Sequence, residues 1–340
     1  MRDQSQARSV LLLGSVPLGS AAEVFETVAG VLGDLAPRIP DGETGERLGW
    51  IAWTRDHFRR LNSLEPLGER GVPGPRFRLR DPAAGKIDLG ALQYAPVAIR
   101  SYAQFRQLKQ QGKVPAATRF QVSLPTPFGI VFGLFPASEL ATTWRLFEER
   151  MRAEIAEIAR AVPAEELAIQ WDIAVETIGV LEDSDNATGL TATDVAGSIA
   201  RMSNAIPEAI ELGLHICYGD RDHKHFIEPR DLAVATAFAN LLSRTIRRPI
   251  SWVHMPVPRD RADAPYFAPL ASLALGPGTQ LYLGLVHLSD GVDGARHRMT
   301  AANRFVNAYG IATEFGLGRR PAETIPAILA LHRDVAALND

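Results

Sequence analysis

Short aliphatic and β-branched runs alternate along this chain with longer stretches whose apolar residues recur every three or four positions. The first pattern predicts strands and the second amphipathic helices. Eight candidate strands emerge, at 9–16, 37–40, 119–124, 167–173, 212–218, 250–257, 280–287 and 310–315. The clearest helix is expected over 139–162, where Leu140, Trp144, Phe147, Met151, Ile155 and Ile158 share one face and charges occupy the other. Others are expected near 47–61, at 231–246, at 322–338 and at 191–206, which opens on a Thr-Ala-Thr-Asp N-cap region.

Eight strand–helix units predict a (β/α)8 TIM barrel, α/β in class, that occupies 1–340 as a single domain. The period breaks once, over roughly 62–115. That stretch holds a Gly/Pro-rich segment at 68–75, candidate strands at 77–80 and 87–89, and a helix near 102–110. It is expected as a hairpin-containing insertion after the second strand–helix unit, too poor in apolar residues for a core of its own. An open doubly wound sheet is the alternative, disfavoured because no glycine-rich phosphate fingerprint follows the first strand.

Composition narrows the function classes. A net charge of −3 offers nothing to a polyanion, so no nucleic-acid partner is expected. The paired arginines Arg59 and Arg60, Arg247 and Arg248, Arg319 and Arg320 are scattered and are expected at solvated helix ends. A single cysteine, Cys217, rules out a disulfide within the chain and suits a reducing compartment. With no apolar run long enough for a signal core or a membrane span, a cytoplasmic protein with no membrane partner is expected.

Barrel chemistry sits at the carboxyl ends of the strands. Here those ends carry Asp41, Glu43, Asp172, His215, Cys217, Asp220, His254, Arg259, His287 and Glu314. His215 and Cys217 lie two apart on one strand and so share a side, where imidazole and thiolate can both reach one zinc ion. The bland alternative is a core histidine beside an inert cysteine. His254, on the neighbouring strand, is the expected third ligand, with Glu314, Asp220 or water as the fourth. Glu43 and Asp172 form a possible carboxylate cradle for a cation such as an ammonium. Asp172 is also expected to pair with His287, setting its tautomer for acid–base work. Arg259 and Arg261 are candidates for an acidic substrate group, or else rim charges. Trp171 and Tyr218 are expected beside the pocket, and His223 and His225 at its mouth or in a solvated loop.

Taken in order, these motifs resemble the catalytic barrel of cobalamin-independent methionine synthase, within the superfamily shared with uroporphyrinogen decarboxylase. The similarity runs over roughly 9–320. The family's zinc-binding His-x-Cys resembles His215-Ile216-Cys217, and its Gly-Ser-x-Pro resembles Gly14-Ser15-Val16-Pro17. Its Gly-Glu resembles Gly42-Glu43, its Gln-x-Asp resembles Gln170-Trp171-Asp172, and its strand-seven histidine resembles His287. The resemblance implies Gly14 and Ser15 at a substrate carboxylate, Glu43 at an ammonium, Gln170, Trp171 and Asp172 in the substrate site, and His287 as a proton donor and acceptor. It also implies a methyl donor, folate or corrinoid. Three positions depart from the family pattern. Phe315 replaces the fourth zinc ligand, a cysteine; the family's glutamate ligand has only His254 as a counterpart; and Ile173-Ala174 replaces a Glu-Pro.

Three function classes follow. The first is thiol methyl or alkyl transfer with a zinc-activated thiol as a small-molecule substrate. The second is a metal-free lyase or other acid–base enzyme using Asp172 and His287. The third is a ligand-binding barrel.

Overall fold

The computed structural model describes residues 7–68, 76–81, 87–182, 188–220 and 225–338. Eight strands form one sheet: Val10–Leu11, Arg38–Pro40, Arg119–Pro125, Leu167–Ile173, Glu211–Ile216, Trp252–Pro256, Gln280–Val286 and Gly310–Thr313. They are called the first to eighth barrel strands below. Every neighbouring pair in the sheet is parallel, and the first strand pairs the eighth. The ring closes between the first and second strands through a parallel bridge, Ser15 to Gly42, where the Val16 N–H donates to the Gly42 carbonyl at 2.7 Å. The barrel expectation holds and the open sheet is excluded.

The barrel interior is filled by large side chains set opposite glycines. A Cβ on Gly213 would fall 1.8 Å from the Trp252 indole, and one on Gly310 would fall 2.3 Å from the Tyr282 ring. Leu11, Leu13, Ala168 and Ala312 complete this inner cluster. The Arg38 guanidinium lies 4.3 Å over the Trp252 ring and is ion-paired to Glu211. The opposite faces of the strands join the larger core beneath the helices, where Trp171, Ile169 and Ile173 are buried. Alternation along the fourth strand therefore sends Gln170 and Asp172 inward and Trp171 outward.

Helix bounds follow the sequence signals closely. The helix expected over 139–162 spans Leu140–Ala161, with Phe147, Met151, Ile155 and Ile158 buried. Ala192–Ser203 begins on a capping box between Thr191 and Asp194. Arg248 departs from expectation: it is not solvated but donates to the carbonyls of Ile206 and Pro207, at 2.8 and 2.9 Å.

The insertion is present with a different pairing. Its antiparallel hairpin joins Leu64–Leu67 to Arg76–Leu79, not 77–80 to 87–89. Phe77 packs edge-on against Phe58, and the Leu79 N–H donates to Glu139 at 2.8 Å, which fixes the hairpin to the barrel's helices. Residues 69–75 and 82–86 lie outside the described residues. The insertion's helix, Tyr94–Gln110, starts where the Leu92 and Ala95 N–H groups both donate to buried Glu154 at 2.7 Å. No described helix is long and apolar enough to cross a membrane.

Candidate active site

Two cavities open at the carboxyl end of the strands, separated by Phe315 and Gly316, which line both. The first, about 510 Å³, is bordered by Ser15, Glu43, Asp172, His215 and Cys217, with Trp50 and Phe226 as apolar walls. The second, about 610 Å³, is bordered by His225, Arg259, His287, Glu314 and Arg320.

Glu43 is placed by a locked turn. Arg47 donates to both carboxylate oxygens of Asp41 at 2.8 Å, Ser101 donates to the same carboxylate at 2.8 Å, and the Glu43 N–H donates to it at 2.9 Å. Burial disfavours the Asp41 charge, yet Arg47 and these donors hold its carboxyl below the usual range. Gly42 takes φ +78, and a Cβ there would fall 2.6 Å from the Val24 side chain; Glu43 follows at φ 48, a left-handed conformation uncommon for a non-glycine residue. Such local strain, fixed by its surroundings, is typical of functional positions. The result aims the Glu43 carboxyl into the cavity above Gly14.

Asp172 reaches the same cavity from the fourth strand, with Gln170 Nε2 donating to it at 2.8 Å. Burial and the adjoining Glu43 push its carboxyl well above the usual range. Burial likewise pushes Glu43 up to about 7, with Asp41 adding to the effect and Arg47 opposing it. Two carboxyl groups thus share one pocket, whose walls also carry Arg55 and Arg319, and burial together with their mutual repulsion keeps them from both ionising readily at neutral pH.

His215 and His254 are neutral and tautomerically ordered. His254 is wholly buried, and its Nε2 donates to the Thr313 carbonyl at 3.2 Å. Burial depresses both imidazoles, His215 to about 3 and His254 well below its ordinary value. A neutral His254 with Nε2–H leaves Nδ1 as an acceptor, so His215 Nδ1 donates to it across 2.8 Å. His215 Nε2 is then a lone pair beside the cavity that also holds Cys217. Burial raises the Cys217 thiol, which stays protonated at neutral pH.

This order can be checked directly. We expect ¹⁵N imidazole shifts to show His215 as the Nδ1–H tautomer and His254 as the Nε2–H tautomer. In His254→Phe the His215 donor loses its acceptor, at a cost of about 1–3 kcal/mol, and the Nε2–H form should become populated. A native His215 carrying Nε2–H would refute the arrangement.

Several expected site residues are placed differently. Both His254 nitrogens are engaged, and no group of three His, Cys, Asp or Glu side chains among the described residues is arranged to hold a metal. As placed, His215, Cys217 and His254 do not gather into the expected three-ligand group, because His254 turns both ring nitrogens to protein partners. Asp172 and His287 are not a pair. They face different cavities, and His287 Nε2 donates to the Val257 carbonyl at 2.9 Å. Trp171 is buried in the outer core and lines neither cavity. Gln170 is also fully buried and acts on Asp172 and on the Leu13 carbonyl, at 2.8 and 2.9 Å. Gly14 lies under Glu43, while the Ser15 hydroxyl accepts from the Gly318 N–H at 3.3 Å.

Arg259 and Arg261 are rim charges, paired with Asp260 and Asp263. Asp220 pairs with Arg319, and Glu314 lies 3.1 Å from His225. His223 lies outside the described residues. Sequence reasoning missed the Asp41–Arg47 lock, whose signal is a carboxylate and a guanidinium flanking a Gly-Glu turn. It also missed Glu176, a wholly buried carboxyl that accepts from Thr126 and is pushed up to about 7 by burial.

No family model and no curated protein sequence matches the chain. Solved structures do. A B12-independent methionine synthase from Shewanella sp. W3-18-1, in complex with selenomethionine, matches with a TM-score of 0.62 at 12% identity, over 97% of each chain. A provisionally assigned vitamin-B12-independent methionine synthase from Listeria monocytogenes matches with a TM-score of 0.61 at 13% identity, over 98% of this chain and 99% of that one. The fold is the methionine synthase-like barrel.

Proposed function

We propose that this barrel is a methyl- or alkyl-transfer enzyme whose first cavity binds a small amino-bearing sulfur compound, the ammonium held between Glu43 and Asp172. The observation that carries the reading is the pair of raised carboxyls facing one cavity. An ammonium there places a positive charge between the two, and each carboxylate gains a charge-assisted hydrogen bond. Selenomethionine in the Shewanella structure supports an amino acid of this class as the ligand. The sulfur end would face His215 and Cys217. The neutral His215 Nε2 can accept a hydrogen bond from a substrate thiol, and Cys217 adds a soft, uncharged wall. The donor is proposed as a methyl-folate or methyl-corrinoid.

Protonation gives the test its sign. Below about 7 Glu43 holds a proton that an ammonium must displace. Affinity for L-methionine should therefore rise with pH toward 7, by up to about tenfold per pH unit for each proton displaced, and be accompanied by proton release. Titration calorimetry between pH 5 and 8, in buffers of different ionisation enthalpy, reads both. Affinity that is flat or falls over this range would remove the cradle. Supplying L-homocysteine with each donor and measuring methionine formation tests the transfer step.

A further inference from the structure

The second cavity has no role in that reading, yet it is lined by charged groups, three arginines among them. Arg259 is satisfied by Asp260 at 2.9 Å, and Arg261 by Asp263 at 2.8 Å. His225 sits between Glu228 and Glu314, at 3.0 and 3.1 Å. Burial opposes charge on His225, but the two carboxylates outweigh it and raise its affinity for a proton. Of the three arginines at this cavity, Arg320 is the exception. Its Nε is buried with no hydrogen-bond partner among the described residues. The acids that act on it, Asp220 and Glu314, are engaged by Arg319 and His225. A buried donor without an acceptor is costly, and a guanidinium is shaped to grip two oxygens at once. Beside it, His287 donates through Nε2 to Val257 and so presents Nδ1 as an acceptor.

We propose that the second cavity is a binding site for the acidic group, carboxylate or phosphate, of a second ligand, with Arg320 as the anion contact and His287 Nδ1 accepting from a hydroxyl or N–H of the same molecule. Phe315 and Gly316 form the wall between the cavities, so a ligand here lies next to one in the first. The site stands on its own geometry; only the role of its ligand as co-substrate rests on the transfer reading.

The probes are inorganic phosphate and succinate, titrated separately into the native protein while histidine ¹H–¹⁵N resonances are followed. The expected result is saturable binding of at least one, moving His287 and leaving His215 in place; the probe that binds names the acidic group. Arg320→Gln should weaken binding at least tenfold, and Arg320→Lys should recover part of the loss with native thermal stability, which separates a lost contact from a lost fold. Asp172→Asn should leave anion binding unchanged even if the first cavity's reading fails. No saturation by either probe at 50 mM, equal binding in Arg320→Gln, or movement of His215 in place of His287 would overturn the proposal.

Discussion

An Asp172→Asn variant should bind L-methionine at least tenfold more weakly than the native protein at pH 8. The change is nearly isosteric, and Gln170 Nε2 can still donate to the retained amide oxygen, as it donates to Asp172 now at 2.8 Å. What disappears is the second negative charge. A hydrogen bond to a charged group contributes about 1.5–3 kcal/mol, which corresponds to tenfold or more in affinity. Glu43→Gln should lose a similar amount and should also flatten the pH dependence near 7, because Glu43 is the group pushed up to about 7. The double variant should lose less than the two single losses together, since both carboxylates act on one ammonium. Calorimetry on the three variants measures this; affinity unchanged in Asp172→Asn would leave that carboxyl a structural role only.

The largest stability effect is expected inside the barrel, at Trp252→Ala. The indole is fully buried, fits over Gly213, is stacked by Arg38 at 4.3 Å and donates to Gln170 at 3.4 Å. Truncation leaves a void, removes the platform under a buried guanidinium and frees a buried amide oxygen. Large-to-small changes of this kind cost about 3–5 kcal/mol. For a chain of this length that lowers Tm by roughly 4–7 °C, measurable by calorimetry. Gly213→Ala approaches the same contact from the other side, since its Cβ would fall 1.8 Å from the ring, and it should destabilise as well. A Trp252→Ala protein with native Tm would show that the inner layer tolerates a void.

The barrel was legible because the strand runs and helix faces have different periods over long stretches, and because Thr191 and Asp194 mark a helix start by residue type alone. The hairpin was not, because its pairing depends on Phe77 meeting Phe58 from an earlier helix. Alternation along the fourth strand should have placed Trp171 outside; treating Gln170-Trp171-Asp172 as one motif hid that. The register of strands five and six was within reach, as His215 and His254 are direct neighbours. That they bond to each other depends on the Thr313 carbonyl, three strands away from the fifth in sheet order. Asp172 and His287 looked paired because both end strands, but Phe315 stands in the wall between their cavities. Arg320 looked like any surface arginine, and only the pairing of its neighbours shows that it faces a cavity unsatisfied.

The most direct test of the amine cradle is a crystal structure of the protein soaked with L-selenomethionine, with selenium located by its anomalous signal. The account predicts one selenium peak in the first cavity near His215 and Cys217, with the ligand's amino nitrogen within hydrogen-bond distance of both Glu43 and Asp172. Selenium elsewhere, or an amino group turned away from those two carboxyls, would contradict it.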